Sequence, residues 1–254
     1  MQILLACAKI MNDKSKQTGL PLTVPRFAAE AATFARDMMC YGEGEIAEML
    51  SCSRQIAAQN KWRYLHFFDE DNLLQPALMA YHGQAYKHLK AETLTEDALL
   101  YANSHLWIIS FLYGLLRPLD GIHLYRLEGN VSLPSGEGKN MFDFWKTRLT
   151  DLLIESVKAD DGVLVHLATE EFQHVFDWKR VTDEVHVVKP LFYVSHGGGL
   201  KMQAVWAKSC RGAMTRFIVS NRLSEPEQLN GFSYEGFEYC PHLGEPDFPH
   251  FIRE

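Results

Sequence analysis

Between Val185 and Ser224 the chain carries no Asp or Glu, although the whole sequence holds 32 acidic against 25 basic residues and a formal charge of -7. Lys189, Lys201, Lys208, Arg211, Arg216 and Arg222 all fall in this acid-free stretch. It reads as a strand, a glycine turn at Gly197-Gly198-Gly199, a second strand, and a helix from about Ala207 to Arg222. At roughly 100° per residue, Lys208, Arg211, Thr215 and Arg222 share one stripe of that helix. Trp206, Cys210, Met214, Phe217 and Ile218 lie opposite and would anchor it in a core. The cationic stripe is open to two readings. It is either a solvated face paired with acids from other segments, or an anion-binding surface.

The rest of the sequence limits what can surround this stretch. A chain of 254 residues with 47% hydrophobic content buries a full core, and the pattern favours one mixed α+β domain over residues 1–254. No apolar run approaches the roughly 20 residues that cross a bilayer. Met1 to Cys7 is too short and lacks the basic start of a signal peptide, so it reads as a buried first strand of a cytoplasmic protein. Cys7, Cys40, Cys52, Cys210 and Cys240 form no C-x-x-C pair, which argues against a zinc site or a disulfide framework. The acidic total excludes a general nucleic-acid coat but leaves room for a local basic cleft.

Along the chain, 9–25 is polar and proline-bearing and reads as a loop, with Lys9 just beyond the first strand, where α/β-type sheets often meet ligands. Helical spacing covers Arg26 to Tyr41 and Gly44 to Asn60, and Gln75 to Tyr81 is a candidate strand followed by a short helix to Leu89. Thr95 caps a helix predicted to run to about Leu112, which Gly114 would end. Residues 130–140 form a surface loop with Lys139 at its exit. Met141 to Lys158 is an amphipathic helix, Gly162 to Ala168 a buried strand, and Phe237 to Cys240 the last strand.

No P-loop, G-x-G-x-x-G, G-x-S-x-G or H-E-x-x-H motif is present. His166, Glu170, Glu171 and His174 are the best metal constellation, but carboxylate-bridged iron sites need a second such set and further glutamates. A capped strand-to-helix corner accounts for these residues, and neither a metal nor another cofactor is expected. Glu171 remains a candidate general base. Ile109-x-x-Leu112-Tyr113-Gly114-Leu115 partly matches a helix-hairpin-helix, whose backbone N–H groups hold a DNA phosphate. A helix end followed by a proline turn fits the same residues. Arg117 and Arg126 nearby add charge.

Several segments in one order resemble the YaaA family of bacterial peroxide-stress proteins. They are Ala80-Tyr81-His82-Gly83-Gln84-Ala85-Tyr86, Gly114 to Asp120 with Tyr125-Arg126-Leu127-Glu128, and Gly138-Lys139 with Phe144-Trp145. Leu167 to Phe172, Ala207 to Phe217 and Asn221-Arg222-Leu223 complete the set. Two positions depart from the family pattern. The first strand ends Cys7-Ala8-Lys9 where the family has Ser-Pro-Ala-Lys, and His166 stands where an Asn is usual.

The resemblance implies a single mixed domain with a helix-hairpin-helix-like element, a basic cleft for duplex or branched DNA, and a role in limiting iron-driven damage during peroxide exposure. The cations chosen by charge coincide with those in the family segments: Lys9, Arg117, Arg126, Lys139, Lys208, Arg211, Arg216 and Arg222, with Gly114 at the turn. The favoured reading is a DNA-binding protein without sequence preference and without a membrane partner. The alternative is an enzyme acting on a phosphorylated or nucleotide-like small molecule, with Glu171, Tyr125 or Lys9 handling protons.

Overall fold

The computed structural model describes residues 1–13 and 19–254. In chain order the elements begin with β1 (Gln2–Ala6), α1 (Ala28–Cys40), α2 (Glu43–Met49), α3 (Arg54–Leu65), β2 (Gln75–Pro76), α4 (Ala77–Ala80) and α5 (Gln84–Leu89). Then come α6 (Glu96–His105), β3 (Leu106–Ser110), β4 (Gly114–Leu116), β5 (Gly121–Ile122), α7 (Met141–Lys158), β6 (Val163–His166) and α8 (Trp178–Glu184). The last third holds β7 (His186–Val188), β8 (Leu191–His196), β9 (Gly199–Lys201), α9 (Ala204–Asn221), β10 (Ser233–Tyr234), β11 (Phe237–Glu245) and β12 (Phe248–Arg253).

Two five-stranded sheets organise these elements. The first has the order β4-β3-β1-β6-β7. Its strands β3, β1, β6 and β7 run parallel, and only β4 is antiparallel to its neighbour. Every side chain of β3 is buried, as expected for a strand covered on both faces. The second sheet, β10-β11-β12-β8-β9, is antiparallel except where β12 pairs β8. A short β2-β5 ladder makes a third.

The acid-free stretch spans both large sheets. β7 closes the first sheet and β8 joins the second, with Lys189-Pro190 between them. Proline has no N–H to donate, which suits a place where the ladder changes partners. The predicted continuous strand 185–194 is therefore two strands. Helix α9 starts earlier than predicted, and Arg222 is its left-handed C-cap.

The helix expected to run from Thr95 to about Leu112 ends instead at His105. Thr95 does cap it, its side chain accepting from the Ala98 N–H. Leu106-Trp107-Ile108-Ile109 then becomes the strand beside β1, with Ile3 opposite Leu106 and Ala6 opposite Ile109. Gly114 pairs with Ser110 across a β-hairpin, so this turn is not a helix-hairpin-helix. Its glycine has φ +72°, and a Cβ there would come within 2.8 Å of the Trp145 ring. Trp145 is buried on α7 and donates its indole N–H to the Phe111 carbonyl at 2.8 Å. The turn is thus a packed corner that fixes α7 on the sheet.

Smaller differences have local causes. Ser53 caps α3 and divides the predicted 44–60 helix into two. Only Gln75–Pro76 of the 75–81 segment forms a strand, and β12 lies beyond the strand expected to be last. Residues 14–18 of the predicted 9–25 loop lie outside the described residues. Among the described residues no helix is long and apolar enough to cross a membrane.

Candidate functional site

A cleft of about 330 Å³ opens at the carboxyl ends of β1, β3 and β6, between residues 5–10, 83–86, 125–128 and the first half of α9. From β1 the chain leaves toward β3, and from β6 it leaves toward β7 on the other side. Their adjacent carboxyl ends are therefore a topological switch point, the usual ligand position in such sheets.

Four of the sequence-predicted cations line this cleft: Lys9, Arg126, Lys208 and Arg211. Two carboxylates, Glu128 and Glu171, face them. Lys9 Nζ lies 2.8 Å from Glu128 Oε2, and Arg126 Nη2 lies 3.0 Å from Glu128 Oε1. One carboxylate thus holds two cations. On the opposite wall, Lys208 and Arg211 stand one turn apart on α9 and form no ion pair among the described residues. Burial lowers the pKa of Arg211, partly offset by Glu170, yet Glu170 is itself bound to Lys189 at 2.8 Å. A cation desolvated without a bonded partner is costly and is relieved by a bound anion.

The apolar lining lies between these charged walls. Phe111 and Phe172 stack at 5.3 Å with 17° between their planes, and both border the cleft. Ile10 sits on the same lining and is 61% exposed. Tyr125 is buried, its hydroxyl bonded to Tyr81 at 2.7 Å and Ser110 at 2.6 Å, and burial raises its pKa well above the ordinary value. It is poorly suited to proton transfer at neutral pH. Burial, reinforced by Glu128, pushes the Cys7 thiol up to about 12, so it stays protonated and unreactive. Glu171 is exposed on the cleft with no ion pair among the described residues.

The other predicted site residues lie away from the cleft, each with a structural use. Arg117 stacks over Trp107, 3.4 Å from its centroid, and donates to Gln2 Oε1, the Leu106 carbonyl and Ser156 Oγ. Arg216 donates to the carbonyls of Leu89 and Lys90 and to Thr93 Oγ1, closing the end of α5. Arg222 pairs with Asp97 at 3.2 Å and Lys139 with Glu137 at 3.3 Å. Gly114 belongs to the corner under Trp145. The supposed stripe on α9 is also narrower than its spacing suggested, because Thr215 is fully buried and Arg222 has left the helical conformation.

Charge counting missed Glu128 and the aromatic lining. Glu128 was detectable, since Arg126 and Glu128 are alternate residues of an extended segment and share a side. The metal constellation does not assemble: His166 is buried against Trp178. Among the described residues no group of three or more His, Cys, Asp or Glu side chains could hold a metal.

Fold and cleft together define a mixed α/β protein with a switch-point pocket walled by lysine, arginine and glutamate. The chain belongs to the family described as peroxide stress protein YaaA, whose model matches residues 1–243. It is 43% identical to a UPF0246 protein of Phocaeicola vulgatus over 239 residues, 94% of each chain. It is 44% identical to one of Bacteroides thetaiotaomicron over 246 residues, covering 96% of this chain and 95% of the relative. A UPF0246 protein of Porphyromonas gingivalis is 40% identical over the full length of both chains.

Proposed function

We propose that this protein serves the peroxide-stress response by binding phosphate groups in the cleft beneath α9, and that DNA, duplex or branched and without sequence preference, supplies them. The observation that carries this reading is the pair Lys208 and Arg211. They share one wall of a switch-point cleft, and neither has a carboxylate bonded to it among the described residues. Phosphate is the common ligand of such cations, and contacts to it are indifferent to sequence. Limiting iron-driven damage during peroxide exposure is the cellular role we propose for that binding.

Fluorescence anisotropy with labelled duplex and branched DNA tests the reading. Binding should weaken steeply with salt and be lost in Lys208→Ala/Arg211→Ala, since each phosphate contact contributes to the salt slope. Absence of binding to either DNA at low salt would refute it.

A second reading, an enzyme acting on a phosphorylated small molecule, is favoured by the exposed Glu171 carboxylate on the cleft. Glu171→Gln separates the two. A binding protein should tolerate this change or bind slightly tighter, whereas an enzyme using Glu171 as a base loses turnover.

A further inference from the structure

The geometry points to a cleft that takes one whole nucleotide unit, base together with phosphate, from an end, junction or extrahelical position of DNA or from free solution. This inference rests on the phosphate-binding reading above and specifies its ligand. Three observations carry it.

The first is the position of the remaining cations. A protein that tracks a duplex needs charge spread along the phosphates of both strands. Here Arg117, Arg216 and Arg222 are held by Trp107, the end of α5 and Asp97, outside the cleft. The cations that do converge are confined to a cavity of about 330 Å³, at the small end of the range for small-molecule sites.

The second is the character of the lining. A site for phosphate alone needs donors and charge, but this one also presents a stacked Phe111–Phe172 pair. Phe172, the partly exposed member, offers the kind of surface on which a base stacks.

The third is Ile10, whose large apolar side chain is left 61% exposed while lining the same cleft. Water is a poor partner for it, and a planar ring is a good one. Inside a duplex the faces of the bases are stacked on one another and are not open to a protein side chain. The nucleotide would therefore come from a single strand, a strand end or an extrahelical position, or would be free in solution.

Competition for a fluorescein-labelled single-stranded oligonucleotide on the full chain tests this. The competitors are dAMP, TMP and 2-deoxyribose 5-phosphate, with labelled duplex run in parallel. In the wild type the mononucleotides should compete at least ten times more strongly than the sugar phosphate. That ratio should collapse toward one in Ile10→Ser and in Phe172→Ala, while the sugar phosphate competes as before. Ile10 is exposed, so its variant tests the base contact even if Phe172→Ala fails to fold.

Equal competition by mononucleotide and sugar phosphate, with salt-sensitive DNA binding retained, would overturn the nucleotide unit and leave the phosphate reading standing. Calorimetric titration of dAMP into the full chain covers the case in which neither DNA binds, where measurable binding would support the unit and identify a free nucleotide as its source. Failure of every probe to bind would overturn both.

Discussion

Gly212 of α9 lies so close to Ala85 of α5 that a Cβ on Gly212 would sit 1.8 Å from the Ala85 carbonyl oxygen. Backbone meets backbone there, so no side-chain rotation relieves the clash. This contact fixes the depth at which Lys208 and Arg211 enter the cleft, one turn and less from Gly212. Gly212→Ala should therefore force the helices apart and destabilise the protein by about 1–3 kcal/mol or more. Ligand affinity should fall even at temperatures where the variant is folded. Urea unfolding and anisotropy on the same preparations check both, and unchanged stability would contradict the contact.

Arg117 separates a structural cation from a functional one. Its guanidinium covers Trp107 and reaches three oxygens of β1, β3 and α7. Arg117→Ala should cost roughly 2–3 kcal/mol of stability through the lost stacking and hydrogen bonds. DNA affinity and its salt slope should stay as in the wild type under folding conditions. A slope that flattens as it does for Lys208→Ala would return Arg117 to the binding surface.

Glu128 is the internal competitor of the cleft, because the carboxylate that holds Lys9 and Arg126 occupies the charge they would offer a phosphate. Glu128→Gln should tighten DNA binding and steepen its salt dependence by roughly one to two phosphate contacts. Anisotropy across a salt series reads this directly. Weaker binding with an unchanged slope would mean that Glu128 positions the two cations rather than competing for them.

His166 should give the protein a sensitivity to mild acid. It is buried, neither ring nitrogen has a hydrogen-bond partner among the described residues, and burial pulls its pKa down to about 3, with Lys189 and Arg211 acting in the same direction. An unfolded chain protonates its histidine near pH ~6.5. Between those values the unfolded state binds the extra proton, so stability is full above ~6.5 and is lost as pH falls toward 3. The His166 contribution between pH ~7 and ~5 is on the order of 2 kcal/mol. His166→Asn should flatten that limb when urea midpoints are compared across pH. Parallel wild-type and variant slopes would show that His166 is not the group responsible.

The sequence disclosed the elements with strong periodicity and obscured those without it. Met141–Lys158 is helical over the range its apolar spacing indicated, and β1 was evident as an apolar run. Leu106 to Ile109 reads as a continuation of the helix because four apolar residues after it have no period to distinguish strand from helix. The cleft was legible in part for a related reason. Charge identified Lys9, Arg126, Lys208 and Arg211, but charge alone cannot tell them from Arg117, Arg216 or Arg222, whose partners are distant in sequence. Nothing in the sequence marks Phe111 and Phe172 as a pair, and only the fold shows that they stack and border a cavity.

The order of strands in the second sheet has a consequence for how the protein is made. β12 lies between β11 and β8, yet of these strands it is the last to leave the ribosome. Until it emerges, β8 and β9 form a two-stranded hairpin, which is marginal alone in water. Helix α9 follows that hairpin directly, and its contact with α5 is also long in range. During synthesis the first sheet therefore has its strands available well before the cationic wall is locked in place. A nascent chain stalled short of Phe248 would carry the first sheet and the residues of the cleft beside an unfinished second sheet, exposing Phe192 and Phe237, which are otherwise buried, to chaperones and proteases.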